Sequence, residues 1–191
     1  MKRIEILVEE KSMERFLEIF LISILPKEWA LNQNVFIRSF EGKQDLQRSL
    51  PKKVKVLSNW HEPVGLIVLQ DQDSSDCSTL KNKLMQIIQS NGEIPYLIRI
   101  VCRELESWYI GDMEAIKKAY PKFKSEKYIN QAKFRNPDIL NAADELSKLL
   151  PEFQKVTSAS KIAQHINIET NKSDSFNQFV IGFNRFILHS K

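Results

Sequence analysis

The segment Gly65-Leu66-Ile67-Val68-Leu69-Gln70-Asp71-Gln72-Asp73 constrains the fold more than any other. Its β-branched apolar run has the length of a buried strand and stops at two carboxylates spaced i, i+2. A second run, Ile4-Glu5-Ile6-Leu7-Val8, ends in Glu9-Glu10, and a third, Leu97-Ile98-Arg99-Ile100-Val101, leads through Cys102 and Arg103 to Glu104 and Glu106. If these strands are parallel neighbours, their acids gather at one sheet edge. Carboxylates so crowded repel one another unless positive charge lies between them, and a hard divalent cation suits oxygen ligands best.

Helical patterns separate the runs. Phe16, Phe20, Leu21 and Ile24 recur at helical spacing between Met13 and Leu25, with Ser12 as the expected N-cap and Pro26 as the stop. Val35 to Ser39 is a further strand candidate, and Asp45 to Leu57 reads as a weaker helix interrupted by Pro51. Leu80, Leu84, Ile87 and Ile88 share a face between Cys77 and Ser90, before the stop signal Asn91-Gly92. Strand and helix alternating to a fourth strand argue for an α/β fold, a mostly parallel four-stranded sheet flanked by helices. In such open sheets ligands bind beyond the carboxyl ends of the strands, where Glu9, Asp71, Asp73 and Glu104 fall.

The second half reads as a helical C-terminal extension. Helices are expected over Asp112–Tyr120, from Asn136-Pro137 to Leu150 with Ile139, Leu140, Ala143, Leu146 and Leu150 inward, over Ser160–Ile166, and from Ser175 to His189. Residues 121–135 read as the least structured stretch. Phe176, Phe179, Val180, Phe183 and Ile187 form an aromatic and aliphatic stripe of the kind that fills a core. The division is therefore residues 1–106 as an α/β domain and 107–191 as a helical extension packed on it.

Composition narrows the class. The two cysteines, Cys77 and Cys102, form no CxxC pair, and His61, His165 and His189 are scattered, so neither a disulfide framework nor a zinc site is expected. The apolar run after Met1-Lys2-Arg3 is too short for a signal peptide, and the apolar stretch Phe16–Leu25 is far short of a membrane span. The expectation is a soluble cytoplasmic protein with no membrane contact. A formal net charge of +4 mildly favours an anionic partner such as nucleic acid. There is no phosphate loop, no dinucleotide fingerprint and no nucleophile elbow.

Val8-Glu9-Glu10-Lys11-Ser12, an acid between a strand and a helix, resembles the first motif of the TOPRIM fold, with Glu10 standing where that pattern has glycine. Asp71-Gln72-Asp73 resembles its later Asp-x-Asp motif. Together with Glu41-Gly42-Lys43, Glu104-Leu105-Glu106-Ser107-Trp108, Gly111-Asp112, Ala119-Tyr120-Pro121, Arg135-Asn136-Pro137-Asp138 and Asn171-Lys172-Ser173, the chain resembles, over nearly its whole length, a bacterial TOPRIM-like family of unknown function. That family is related to the nuclease domain of OLD-type (overcoming lysogenization defect) proteins. The resemblance implies a metal-dependent phosphoesterase working beside an ATPase partner protein, in defence against foreign DNA.

Phosphodiester cleavage needs charge stabilisation at phosphorus and an activated water, and Mg²⁺ or Mn²⁺ supplies both. The expected ligands are Glu9, Asp71, Asp73 and Glu106, with Glu9 alternatively a general base and Glu104 completing the catalytic set. Lys43, Arg103 and Arg135 are the candidates for holding phosphate. Each has an ordinary alternative: an Asx turn for the Asp pair, a helix cap for Asp76, ion pairs with Arg99 or Arg103 for Glu104 and Glu106. Two other functions share these features, a non-catalytic regulator of an ATPase and a primase-like nucleotidyl transferase. The oligomeric state is open, a homodimer included.

Overall fold

Four strands form where the apolar runs stand: β1 (Arg3–Val8), β2 (Val35–Ser39), β3 (Val64–Asp71) and β4 (Tyr96–Val101). The computed structural model describes residues 1–188. All strand pairs are parallel, in the order β2-β1-β3-β4. β3 lies inside the sheet and is buried along its whole length, which is why its sequence is apolar without alternation. The α/β class with helices flanking a four-stranded parallel sheet is thus the fold of this chain.

The chain leaves β1 toward β2 and leaves β3 toward β4, so the order reverses between β1 and β3. Crossovers of one hand then put α1 (Lys11–Phe20) on one face and α2 (Lys43–Ser58) and α3 (Cys77–Gln89) on the other. On the second face Leu46, Leu50 and Val54 of α2 and Leu84 and Ile88 of α3 cover Leu66 and Val68. The first face carries α1 and nearly the whole second half: α4 (Glu106–Ile110), α5 (Met113–Ala119), α6 (Ala142–Leu149), α7 (Lys155–Ala163) and α8 (Asp174–Leu188). Residues of both halves share this core. Trp108 is fully buried, its ring centroid 5.2 Å from Phe179, 5.3 Å from Phe176 and 5.6 Å from Phe16. Its indole N–H donates to Ser175 Oγ at 2.9 Å, so the anchor keeps its one polar atom satisfied.

Several local expectations are corrected. Glu10, not Ser12, occupies the N-cap of α1; Ser12 is buried and its hydroxyl donates to the Glu10 carboxylate. The helix ends at Phe20 and tightens into a 3₁₀ turn over Leu21–Ser23. Pro51 does not interrupt α2, because burial of Leu46, Leu50, Val54 and Leu57 along one face outweighs one lost backbone bond. The expected helix from Asn136 to Leu150 is broken in two: a 3₁₀ turn at Pro137–Ile139, an extended Leu140, then α6. Ile139 points to solvent, 66% exposed, and Ala142 rather than Ala143 is buried, while Leu146 and Leu150 face the core as expected. A tertiary contact competes with the helix there, since the Asp138 carboxylate accepts from Ser173 Oγ at 2.6 Å and from the Ser175 N–H at 2.8 Å. α7 begins at Lys155, about a turn before the expected start. Residues 121–135 are not loose: two 3₁₀ turns form, Phe123 and Phe134 are buried, and Phe123 stacks on Tyr128 at 5.6 Å. The expected run of the last helix on to His189 lies outside the described residues. Among them no helix is long and apolar enough to cross a membrane.

Candidate metal centre

The carboxyl edge of β1 and β3 is where the order reverses, the place at which an open parallel sheet forms its ligand crevice. Glu9 follows β1 directly, and its Oε2 accepts the Asp71 N–H at 3.2 Å, tying the two strand ends together. Asp71 is the last residue of β3 rather than the first beyond it. By strand alternation it shares the face of Ile67 and Leu69, toward α1 and α4. Its carboxylate is almost wholly buried and Oδ1 has no hydrogen-bond partner among the described residues. Glu106 opens α4, 0% exposed, and neither of its carboxylate oxygens has a hydrogen-bond partner among the described residues. Tyr109, one turn on, presents an equally buried hydroxyl with no hydrogen-bond partner among the described residues.

The electrostatics follow from burial. Glu9 is pushed up to about 7, mainly by desolvation and then by the charge of Asp73. Glu106 is raised to about 7 by desolvation, although Lys155 pulls the other way. Asp71 is held well above the usual carboxylate range by burial and then by Glu9 and Glu106. Tyr109 moves up for the same reasons, burial first and Glu106 second. Lys155 Nζ lies 3.5 Å from Glu10 Oε1 and 4.0 Å from Glu106 Oε1. Burial disfavours its charge, but Glu106, Glu10 and Asp71 together hold its pKa above the ordinary lysine value. Glu5, another buried acid of β1, is the useful contrast: Arg3 and Arg38 both pair with it, so its charge is neutralised. Among the described residues Glu106 has only the long contact to Lys155.

The other side of the crevice is built by two interlocked loops. Gln72 N–H donates to Val101 O and Asp73 N–H to Arg103 O, both at 2.9 Å, while Arg103 N–H donates to Gln72 Oε1 at 3.0 Å. Asp73 and Arg103 take φ values of 51° and 61°, a left-handed conformation that is uncommon for residues other than glycine. Asp73 is partly exposed and pairs with Lys43 of α2 at 2.5 Å, a contact that raises the lysine pKa. Arg103 Nη1 donates weakly to the Asp73 carbonyl at 3.4 Å. Asp76 caps α3 through Thr79 N–H.

Of the residues expected at the site, Glu9, Asp71, Asp73, Glu106, Lys43 and Arg103 lie around this crevice. Glu104 is engaged elsewhere, its Oε1 accepting the Ala143 N–H at 2.7 Å in the first turn of α6. Arg135 is exposed at the end of a 3₁₀ turn and, among the described residues, bonds to none of these acids. Among the described residues no three His, Cys, Asp or Glu side chains are arranged to hold an ion as they stand. The three buried oxygens without partners, on Asp71 and Glu106, nonetheless fit the oxygen-donor chemistry of a hard cation. Sequence reasoning missed Lys155 and Tyr109 as members of the crevice. Tyr109 lay three residues from Glu106 on a helix, a spacing that could have found it; Lys155 carried no local signal.

A family model described as a domain of unknown function (DUF4276) matches residues 8–183. No curated protein matches the chain. Two solved structures are similar in fold, both of the C-terminal region of the Xanthomonas campestris pv. campestris OLD protein. The mercury-phased one aligns with a TM-score of 0.51 at 14% identity over 100% of this chain and 99% of that chain. The platinum-phased one gives 0.49 at 15% identity over 99% and 96%.

Proposed function

The chain belongs to the DUF4276 family, and we propose that its crowded sheet-edge acids form the metal centre of a phosphodiester-cleaving enzyme, a TOPRIM-like nuclease. One observation carries the reading: Asp71 and Glu106 bury three carboxylate oxygens with no hydrogen-bond partner among the described residues, at the sheet edge where Glu9 accepts the Asp71 N–H. Buried charges of one sign are costly unless paired or bound to metal. Asp71, Glu106 and Glu9 are the residues that would hold Mg²⁺ or Mn²⁺, with Asp73 joining once released from Lys43. The ion would supply charge neutralisation at phosphorus and a more acidic bound water.

The chain's own residues then divide the work. Glu9, pushed up to about 7 by burial when no ion is bound, is the alternative general base where it does not ligate the ion. Lys155 balances the acids from the α7 side, and Lys43 and Arg103 at the crevice mouth hold the substrate phosphate. Glu104 positions α6, and Arg135, exposed and not bonded to these acids among the described residues, is the outlying candidate for holding phosphate. Nucleic acid is the substrate class that fits the basic charge balance, and the resemblance to OLD-type nucleases supports a role in defence against foreign DNA. The test is cleavage of plasmid and single-stranded DNA with Mg²⁺ or Mn²⁺. Activity should vanish in Asp71→Ala with the fold intact by circular dichroism; cleavage surviving that change refutes the centre.

A second reading, a non-catalytic regulator of an ATPase partner, is favoured by the absence among the described residues of a three-acid group ready for an ion and by the lysines already set against the acids. An inert isolated protein that forms a stoichiometric complex with an ATPase would support it. Incorporation of labelled nucleotide on a template would instead indicate nucleotidyl transfer.

A further inference from the structure

At the opposite edge of the sheet, where the strands begin, lies a cavity of about 880 Å³. Its walls are apolar and aromatic: Trp60, Val64, Leu97 and Phe186 are among them. That volume is within the ordinary range for small-molecule sites. One basic side chain of β4, Arg99, reaches into the lining. Its Nε donates to Gln178 O at 3.0 Å and its Nη1 to Ile98 O at 3.1 Å, which fixes the plane of the guanidinium. Among the described residues no carboxylate pairs with it, and Nη2 keeps its donors unused. Gly182 of α8 makes the placement feasible, since a Cβ there would lie 2.0 Å from Nη2. Arg185, one turn further on α8, lines the same cavity. Burial, and then the Arg185 charge, depresses the proton affinity of Arg99, as expected for a cation that lacks a counter-charge.

We propose that this cavity binds a small amphipathic anion, its apolar body on the Trp60, Val64, Leu97 and Phe186 walls and its single anionic head on Arg99. The site is separate from the acidic crevice and its assignment does not rest on the nuclease reading. A nucleic-acid strand is the wrong shape for it, because the walls around Arg99 are apolar and offer no track of cations for successive phosphates.

Isothermal titration of the full chain with decanoate, decyl phosphate and decanol tests the assignment. The acid and the phosphate share the anionic head, and their ranking tells which is preferred; decanol has the tail alone. Either anion should bind one-to-one and roughly ten-fold or more tighter than decanol, the size expected for hydrogen bonds to a charged group. Arg99→Gln should bring the anions down to the decanol level, Gly182→Ala should weaken them by displacing the guanidinium, and Asp71→Ala should leave them unchanged. Equal binding of decanoate, decyl phosphate and decanol to the wild-type chain overturns the proposal without any variant. So does failure of all three to bind, or anion binding indifferent to Arg99→Gln in a folded variant.

Discussion

Replacing Glu106 by Gln should stabilise the metal-free protein at alkaline pH. Glu106 is wholly buried and no hydrogen bond compensates its charge. Its pKa rises from 4.5 to about 7, with burial as the largest cause. The folded state therefore holds this proton more tightly than the unfolded chain. The sign follows: the contribution favours folding fully below about 4.5 and is lost as pH climbs to about 7, above which the ionised group opposes folding. At about 1.36 kcal/mol per pH unit the displacement corresponds to about 3 kcal/mol for Glu106. Glu9 shifts in the same direction, but it is partly exposed and solvent screens its share. Glu106→Gln keeps the shape and removes the ionisation. In EDTA it should gain about 2–3 kcal/mol over wild type at pH 8, or roughly 5–10 °C in Tm, and almost nothing at pH 4.5. Urea denaturation at the two pH values measures the gain. Mg²⁺ at pH 8 should raise the wild-type Tm and leave the variant nearly unmoved, because an ion that binds only the folded state stabilises by mass action. A variant no more stable than wild type at pH 8, or equally stabilised at both pH values, would refute the argument that an uncompensated charge sits at position 106.

Other consequences are simpler to measure. Pro51→Ala should stabilise the chain by on the order of 1–3 kcal/mol in chemical denaturation, because α2 runs straight through a residue that lacks a helical N–H. Asp112→Ala should cost about 2 kcal/mol or more by the same measurement, since one carboxylate caps α5 through Ala115 N–H and also accepts Asn167 N–H at 2.8 Å. Cys102 should alkylate slowly with iodoacetamide at pH 8, followed by mass spectrometry, because burial and then the neighbouring Cys77 push its thiol up to about 12.

The strands were readable as short, mostly apolar and β-branched runs closed by polar residues, and β3, buried on both faces inside a parallel sheet, shows the pattern without interruption. The aromatic stripe of α8 was readable for a similar reason, as a period of 3.6 carries one face into the core. Local signals failed where tertiary contacts compete with them. Pro51 reads as a break until the buried face of α2 is seen, and the Asn136-Pro137 helix start reads as sound until Asp138 is found bonded to Ser173 and Ser175.

At the site, chain order alone put Glu9, Asp71 and Asp73 at strand ends, because alternation and a parallel sheet send every strand end to one edge. Which carboxylates are buried and which are spoken for is another matter. Glu104 and Glu106 are two residues apart and look alike in sequence, yet one caps α6 and the other opens α4, fully buried and without a hydrogen-bond partner among the described residues. Lys155 comes to within 3.5 Å of Glu10 from 145 positions away along the chain. The sequence determined where the acids end their strands, since that depends on periodicity along one segment; only tertiary packing decided their charge environment, since desolvation and Coulomb forces depend on distance through space.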